Sequence, residues 1–548
     1  MRLTKLTALA AAVIIPMTLI SCNYGYQSSR DKKEKEAHDT LREEARKGGL
    51  SELTSRYEPI DIDELNKKIE KLIDDCHSSG NDVQGDIDEL MKMLDKSMNA
   101  KSLSEIAYYM DFKSDALEAE ADGCTEEASV AFEAVSYALH AAYASAYPEY
   151  VDLLKPFIDD EWLDYYTSPG VDLARIEKYA RQSFESSDSD LDSYYDVAYS
   201  DDKDEEKLDL EAAKIYLEIL EGLDTETFYD SFNRDYTPEE IIPVCETVRQ
   251  ELVPVYNHFY DNIMENEKLS DLYYEEFPEE KLLPTLSEFA QKLSPEIGAS
   301  AQKLIDKDLC FFGSGKNSYN GGFTAFLPVE RDSAIYLYRY GSLDDMVGLI
   351  HEFGHFYASY YDDTNTYDSI NNLDIAEIQS QGMELLFMKY YDEIFGDQAE
   401  IMRLYKLSDI LDYAISGCLV GEFEYRVLEN RDSYSPQDVV DCYYEIMGDY
   451  YPDSHLYEIS HIFEEPGYYI SYGVSALAAL DIINDCYDDP QRALEQYEKI
   501  ARAKAFSPEA SFKDSLAQCG FSDVLSEDYI RGLSDIMTTI LEREVQGL

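Results

Sequence analysis

The chain has 548 residues, which is longer than a single hydrophobic core usually extends, so we expect two subdomains or one large helical body. Its hydrophobic fraction of 45% is ordinary for a globular protein and argues against wholesale disorder. The formal net charge of -67 argues against nucleic acid as a partner, because such a surface repels phosphate backbones. The charge serves solubility alone or, alternatively, gathers cationic peptides through its field.

The N-terminus has the pattern of an export signal. Arg2 and Lys5 precede an apolar run over residues 6–20, which is too short for a typical membrane span. The run ends at Cys22 in a sequence that resembles the bacterial lipobox, whose cysteine is acylated and becomes the first mature residue. We therefore predict a lipoprotein signal peptide over residues 1–21 and an extracytoplasmic protein anchored to the bacterial membrane through lipid on Cys22. The alternative is an ordinary cleaved signal followed by a chance cysteine.

The segment after Cys22 is polar and has almost nothing to bury. Residues 22–49 are therefore predicted to be the lipidated cysteine and a polar tether. Residues 50–307 are predicted to be an N-terminal helical region, because apolar residues recur at three- and four-residue spacing. The predicted helices are 60–75, 83–98, 103–143, 209–223 and 238–265. The stretch 186–206 is rich in Asp and Ser and is predicted to be an exposed loop.

The pattern changes where the predicted catalytic region, residues 308–548, begins. Glycines punctuate this segment, and residues 323–327 and 334–338 are the best strand candidates because they are aromatic and β-favouring. Helices resume after Ser342. The eight cysteines that follow Cys22 show no metal-type spacing and are predicted to be small core residues, although an even number permits disulfides.

An HExxH sequence lies in the predicted helix 344–361. Residues four apart share a helix face, so His351 and His355 can reach one zinc ion while Glu352 reaches the water that would attack a substrate. The competing interpretation is a helix with two incidental histidines. Tyr361 stands where a metzincin would have a third histidine, which disfavours that class.

A catalytic zinc site requires a third protein ligand and one open position. A second amphipathic helix over residues 374–386 places Glu377 22 residues after His355, and we predict Glu377 as that ligand. Glu384 lies about two turns further on nearly the same face. It either orders the site or is a plain surface glutamate.

These segments resemble the thimet oligopeptidase and oligoendopeptidase F metallopeptidases over roughly residues 305–548. The resemblance rests on Gly321-Gly322-Phe323-Thr324, on Tyr340-Gly341-Ser342-Leu343-Asp344-Asp345 before HEFGH, on Glu377-x-x-Ser380, and on residues 461–472. It implies a mainly α fold, that of a helical gluzincin with a small β-sheet beside the active-site helix and a deep cleft between two subdomains. It also implies one zinc ion and short peptides as substrates.

The resemblance extends to how a peptide would be held. It implies that the strand 334–338 pairs with an extended substrate. It also implies that His461, Tyr468 and Tyr472 act on the substrate carbonyl. Gly467 and Ser471 depart from the family pattern, in which aromatic or larger residues are expected at these positions.

The sequence therefore predicts a lipid-anchored zinc metalloendopeptidase with Glu352 as general base. Its expected partners are short peptides, cationic ones included, and the membrane through the N-terminal lipid, with no nucleic acid. The alternative is a catalytically inactive, lipid-anchored peptide-binding or adhesion protein on the same fold.

Overall fold

The computed structural model describes residues 32–47, 52–76, 83–146, 150–152, 191, 193–198, 200, 204–221, 223, 232–264, 275–370, 372–448, 450–451 and 454–547. The predicted signal peptide and Cys22 lie outside the described residues. Within the described part of the chain, no helix combines the length and the apolarity that crossing a membrane requires.

The described residues of the N-terminal region are mainly helical. Its described helices are α1 (Lys32–Lys47), α2 (Ile62–Cys76), α3 (Gln84–Met110), α4 (Asp115–Ala146), α5 (Glu205–Ile219), α6 (Pro238–Met264), α7 (Glu279–Leu293) and α8 (Pro295–Asp306). The single helix predicted over 103–143 is wrong, because α3 ends at Met110. Beyond that residue the N–H of Phe112 donates to the carbonyl of Asn317 (2.7 Å), outside the helix.

The predicted tether is also wrong for residues 32–47, which form α1. Arg42 and Arg46 on α1 pair with the fully buried carboxylate of Glu120 on α4 at 3.1 and 2.8 Å. Ala45 is fully buried on the same helix. A charged sequence can dock through ion pairs to a distant carboxylate, and apolar periodicity does not reveal such docking.

Part of the predicted loop 186–206 is likewise ordered. Residues 193–198 are helical, and the Tyr194 ring is buried against Phe463 with centroids 4.0 Å apart. Because its partner lies some 270 residues away, composition could not anticipate this contact.

The C-terminal region begins with three strands, β1 (Cys310–Ser314), β2 (Gly322–Leu327) and β3 (Asp332–Arg339). The helices that follow are α9 (Asp344–Ser359), α10 (Leu373–Phe387), α11 (Tyr391–Phe395), α12 (Ala399–Asn430), α13 (Pro436–Met447), α14 (His461–Glu464), α15 (Tyr469–Asp481), α16 (Ile483–Asp488), α17 (Pro490–Ile500), α18 (Phe512–Cys519) and α19 (Glu527–Gly547). β1 was not predicted from the sequence, because it has only five residues and ends among glycines.

The sheet has the order β1-β3-β2. β3 is central: it pairs in parallel with β1, with Ile335 opposite Cys310, and antiparallel with β2, with Ala334 opposite Ala325. β3 is buried along most of its length and packs against α9, so the sheet supports the helix that carries HExxH.

One hydrophobic core joins helices of both regions. Tyr216 on α5 and Val248 on α6 belong to the same buried cluster as Phe423 on α12. A smaller cluster is formed by α2, α3, α4 and Tyr367. The core is therefore continuous across the predicted boundary at residue 307, and the mainly helical fold with a small sheet is confirmed. All eight described cysteines are free thiols, and six of them are buried.

Candidate active site

A close contact between α9 and α10 brings the predicted ligands together. A Cβ atom on Gly354 would lie 2.6 Å from the carbonyl oxygen of Gln379 and the Cα of Ser380. Glycine inside HExxH therefore allows the two helix backbones to touch. This contact places Glu377 of α10 opposite His351 and His355 of α9.

The three side chains form a group that can hold a metal ion. Oε2 of Glu377 lies 3.6 Å from Nε2 of His351 and 3.7 Å from Nε2 of His355. Tetrahedral ligands bound at 2.0–2.2 Å are separated by about 3.4 Å, so the spacing fits a first-row divalent cation. The Ser380 hydroxyl donates to Oε2 of Glu377 (2.9 Å) and helps to orient it.

Glu384 orients His351, which decides between its two predicted roles. Its side chain is buried, and Nδ1–H of His351 donates to Oε1 of Glu384 (2.9 Å), which leaves Nε2 facing the other ligands. Burial alone would raise the pKa of Glu384, but the charge of Lys406 and the His351 bond lower it below its ordinary value. Lys406, which the sequence analysis missed, is buried between Glu384 and Asp409 (2.6 Å to the latter).

Several carboxylates surround the three candidate ligands. Burial lowers the pKa of His351, but the hydrogen bond and charge of Glu384, together with Glu377 and Glu352, raise it to about 9. These carboxylates therefore favour a positive charge at this point, which a metal ion would supply.

Glu352 faces the cavity beside the ligands and is held by β2. The Thr324 hydroxyl lies 2.7 Å from Oε2 of Glu352 and donates to it. A Cβ on Gly322 would lie 3.1 Å from Oε1, so glycine there leaves room for the carboxylate. Burial raises the pKa of Glu352, partly offset by His351 and His355, which makes it a stronger base than an exposed glutamate. The sequence predicted no role for Thr324 beyond its place in the family motif.

The prediction that the strand 334–338 pairs with substrate is wrong. β3, which contains residues 334–338, is bonded on both edges, to β1 and to β2. The outer edges of the sheet belong to β1 and β2, and of these two strands it is β2 whose residues Gly322, Phe323 and Thr324 line the cavity. An extended peptide would therefore have to add to β2.

His461, Tyr468 and Tyr472 converge on the same cavity. His461 begins the short helix α14. Its ring stacks on Tyr468 with centroids 5.2 Å apart, and the ring of Tyr472 lies 5.0 Å from that of Tyr468. Gly467 makes the break between these elements with a left-handed backbone (φ 89°). Burial, then Tyr472 and Glu377, raise the pKa of Tyr468 well above its ordinary value, so it stays a proton donor.

The cavity has a volume of about 920 Å³. Its lining contains carboxylates and, among the described residues, no lysine or arginine. The acidic lining residues are Glu352, Asp362, Glu377, Asp412 and Glu465. Asp412 accepts hydrogen bonds from the phenols of Tyr450 and Tyr451. It was not predicted from the sequence, because no motif marks it.

No protein-family model matches the sequence. An oligoendopeptidase F homologue from Borreliella burgdorferi is 25% identical over 240 residues, which are 41% of this chain and 40% of that protein. The match thus spans well under half the length of this curated relative. The fold is similar to a crystal structure assigned as oligoendopeptidase F, with TM-score 0.68, 18% identity, and 89% of this chain and 98% of that chain covered. It is also similar to PZ peptidase A solved with an inhibitor, with TM-score 0.65, 17% identity, and 89% and 98% covered. The predicted resemblance to oligoendopeptidase F is confirmed.

Proposed function

Since the chain has the fold of the oligoendopeptidase F proteins and resembles one of them in sequence, we propose that it is a zinc metallopeptidase that hydrolyses short peptides. The observation that carries this proposal is the group of His351, His355 and Glu377, with Glu352 beside it in one cavity. Two imidazoles and one carboxylate with an open side are the donor set of catalytic zinc in peptidases. These three side chains would hold the ion.

A bound zinc ion would lower the pKa of a water molecule and polarise the substrate carbonyl. Glu352 takes a proton from the attacking water and returns it to the leaving amine, because it is a buried carboxylate beside the ligands whose pKa is raised by that burial. Tyr468 and His461 donate hydrogen bonds to the carbonyl oxygen as it gains charge, and Tyr472 supports Tyr468. The outer edge of β2 aligns the peptide backbone.

The purified protein loaded with zinc should hydrolyse members of a mixed peptide library. A chelator should abolish cleavage and added zinc should restore it, because the water and the carbonyl both depend on the ion. Mass spectrometry of the library and elemental analysis of the protein measure the two properties. Metal binding without any cleavage would favour the alternative, an inactive peptide-binding or adhesion protein on this fold.

Peptides with basic side chains are the proposed preferred substrates. The support is the acidic lining of the cavity together with the net charge of -67. Asp412 is placed to meet a cationic side chain, since it is one of the residues that line the cavity.

Asp412→Asn should lower kcat/KM for a lysine-containing peptide by about tenfold and leave its glutamine analogue nearly unchanged, consistent with losing one close charge interaction in a partly buried site. Asp441→Asn removes an exposed charge from α13 and is the control. The wild-type preference should weaken with salt, because the field reaches only about 10 Å at 0.1 M ionic strength. Equal kcat/KM values for the two peptides at low salt would reject the proposal.

We also propose that the protein is a membrane-anchored lipoprotein, on the support of the Cys22 lipobox alone. Cys22→Ser should move the protein from the membrane fraction to the soluble fraction, because the lipid would no longer be attached. Fractionation followed by a salt wash measures this. A variant that stays in the membrane fraction after the wash would indicate another means of attachment.

A further inference from the structure

A short segment of the N-terminal region, Phe232–Tyr236, reaches the back of the candidate active site. Asn233 has a left-handed backbone (φ 52°), and its amide donates to the carbonyl of Ala510 (2.5 Å). The carboxylate of Asp235 accepts the N–H of Lys513 at 2.9 and 3.0 Å. These hydrogen bonds hold the segment against Ala510, which lies just before α18, and against Lys513 within α18.

The side chain of Arg234 is fully buried and meets two helices at once. Its Nη2 donates to Oγ of Ser471 on α15 (2.8 Å), and its Nε lies 3.5 Å from Oδ2 of Asp374 on α10. The Ser471 hydroxyl in turn donates to Oδ1 of Asp374 (2.5 Å), and the phenol of Tyr236 donates to Oδ2 (2.8 Å). Arg234, Asp374, Ser471 and Tyr236 form one buried polar cluster.

Each end of this cluster is close in sequence to a candidate active-site residue. Asp374 lies one turn before the ligand Glu377 on α10, and Ser471 lies between Tyr468 and Tyr472 at the start of α15. The ring of Phe232 also meets the edge of Tyr468, with centroids 6.4 Å apart. The cluster therefore spans the distance between a metal ligand and the phenol that would act on the substrate.

A buried ion pair contributes little net stability, because desolvation of the two charges offsets their attraction. Its directional hydrogen bonds can nevertheless hold two helices in one relative position. The small side chain of Ser471, one of the departures from the family pattern, supplies the hydroxyl through which Arg234 and Asp374 are joined.

We propose that Arg234 is a positioning residue that sets Tyr468 relative to Glu377 across the cluster. The inference rests on the proposed peptidase function. It gives the N-terminal region an indirect role in the reaction, through α10 and α15 and without contact with substrate.

The test is a double-mutant cycle with Arg234→Met and Tyr468→Phe, measured in the zinc-loaded enzyme. Arg234→Met alone should lower kcat by about tenfold or more, with KM and zinc content little changed. In the Tyr468→Phe background the same substitution should lower kcat by less than about threefold. The second loss should be smaller because the residue through which Arg234 acts has already been removed. Arg234→Lys keeps the charge without the planar fork and should give an intermediate loss, and it replaces the Met variant if that one does not fold.

Arg249→Met is the matched control, because Arg249 also pairs with a fully buried carboxylate, that of Glu422 (3.3 Å), between α6 and α12. It should lower the melting temperature and leave kcat unchanged. If Arg234→Met lowers kcat equally in the wild-type and Tyr468→Phe backgrounds, the inference is overturned and the proposed function is not affected. The same holds if Arg249→Met lowers kcat as much as Arg234→Met does. A wild-type enzyme that cleaves no peptide would overturn the proposed function and this inference with it.

Discussion

Glu352→Gln is expected to lower kcat by about 10²- to 10⁴-fold, the range that a positioned general base contributes. The carboxylate sits beside the ligand group, accepts the Thr324 hydroxyl, and has a pKa raised first by burial. Glutamine keeps the shape and can still accept the Thr324 bond, but it cannot take a proton from water. The metal content should stay unchanged, because Glu352 is not among the three side chains that can hold the ion.

Steady-state kinetics and elemental analysis of the same preparation check this result. Glu384→Gln is the comparison variant, because Glu384 contacts His351 and Lys406 without facing the reacting atoms. It should weaken zinc affinity by about 10- to 100-fold, as losses of such outer contacts do, and regain activity at saturating zinc. Full activity in Glu352→Gln would remove the proposed base, whereas loss of metal from it would make Glu352 a ligand.

Tyr468→Phe is expected to lower kcat by about 10²- to 10³-fold, the loss seen when one donor to a developing oxyanion is removed. Burial, then Tyr472 and Glu377, raise the pKa of Tyr468, and its ring stacks on His461. A phenol that donates only as charge develops contributes to the transition state and little to ground-state binding. KM and zinc occupancy should therefore change little.

Tyr472→Phe is the matched comparison, one helical turn along α15. The ring of Tyr472 lies beside Tyr468 and Tyr413. Tyr472→Phe should therefore lower kcat much less than Tyr468→Phe does. His461→Ala should also lower kcat more than it raises KM. If Tyr472→Phe is crippled and Tyr468→Phe is silent, the donor is one turn further along the helix. If both are silent, the two rings are packing residues and His461 remains the donor from the protein.

The HExxH spacing and the position of Glu377 were readable from the sequence because both depend on local periodicity. Residues four apart on a helix face the same way whatever surrounds the helix. The second helix was predicted over 374–386 and lies at Leu373–Phe387. Glycine within the HExxH sequence had no assigned role, yet the contact of Gly354 with α10 is what brings Glu377 within reach of both histidines.

The order of the strands was decided by the tertiary structure. The sequence predicted two strands, but it could not show that β1 would cover the far edge of β3, because strand order depends on pairing between distant segments. The outer edge beside the cavity is consequently that of β2. The docking of α1 through Arg42 and Arg46 has the same origin, since ion pairs to a remote buried carboxylate leave no periodic signal.

By itself the sequence determined the candidate ligands, the base and the helical class, since these follow from residue type and short-range spacing. The tertiary structure alone decided which polar groups support them: Lys406 behind Glu384, Thr324 on Glu352, and Arg234 between Asp374 and Ser471. Arg234 lies 140 residues before one partner and 237 before the other. No local pattern specifies such a meeting, because it exists only once the helices have packed around it.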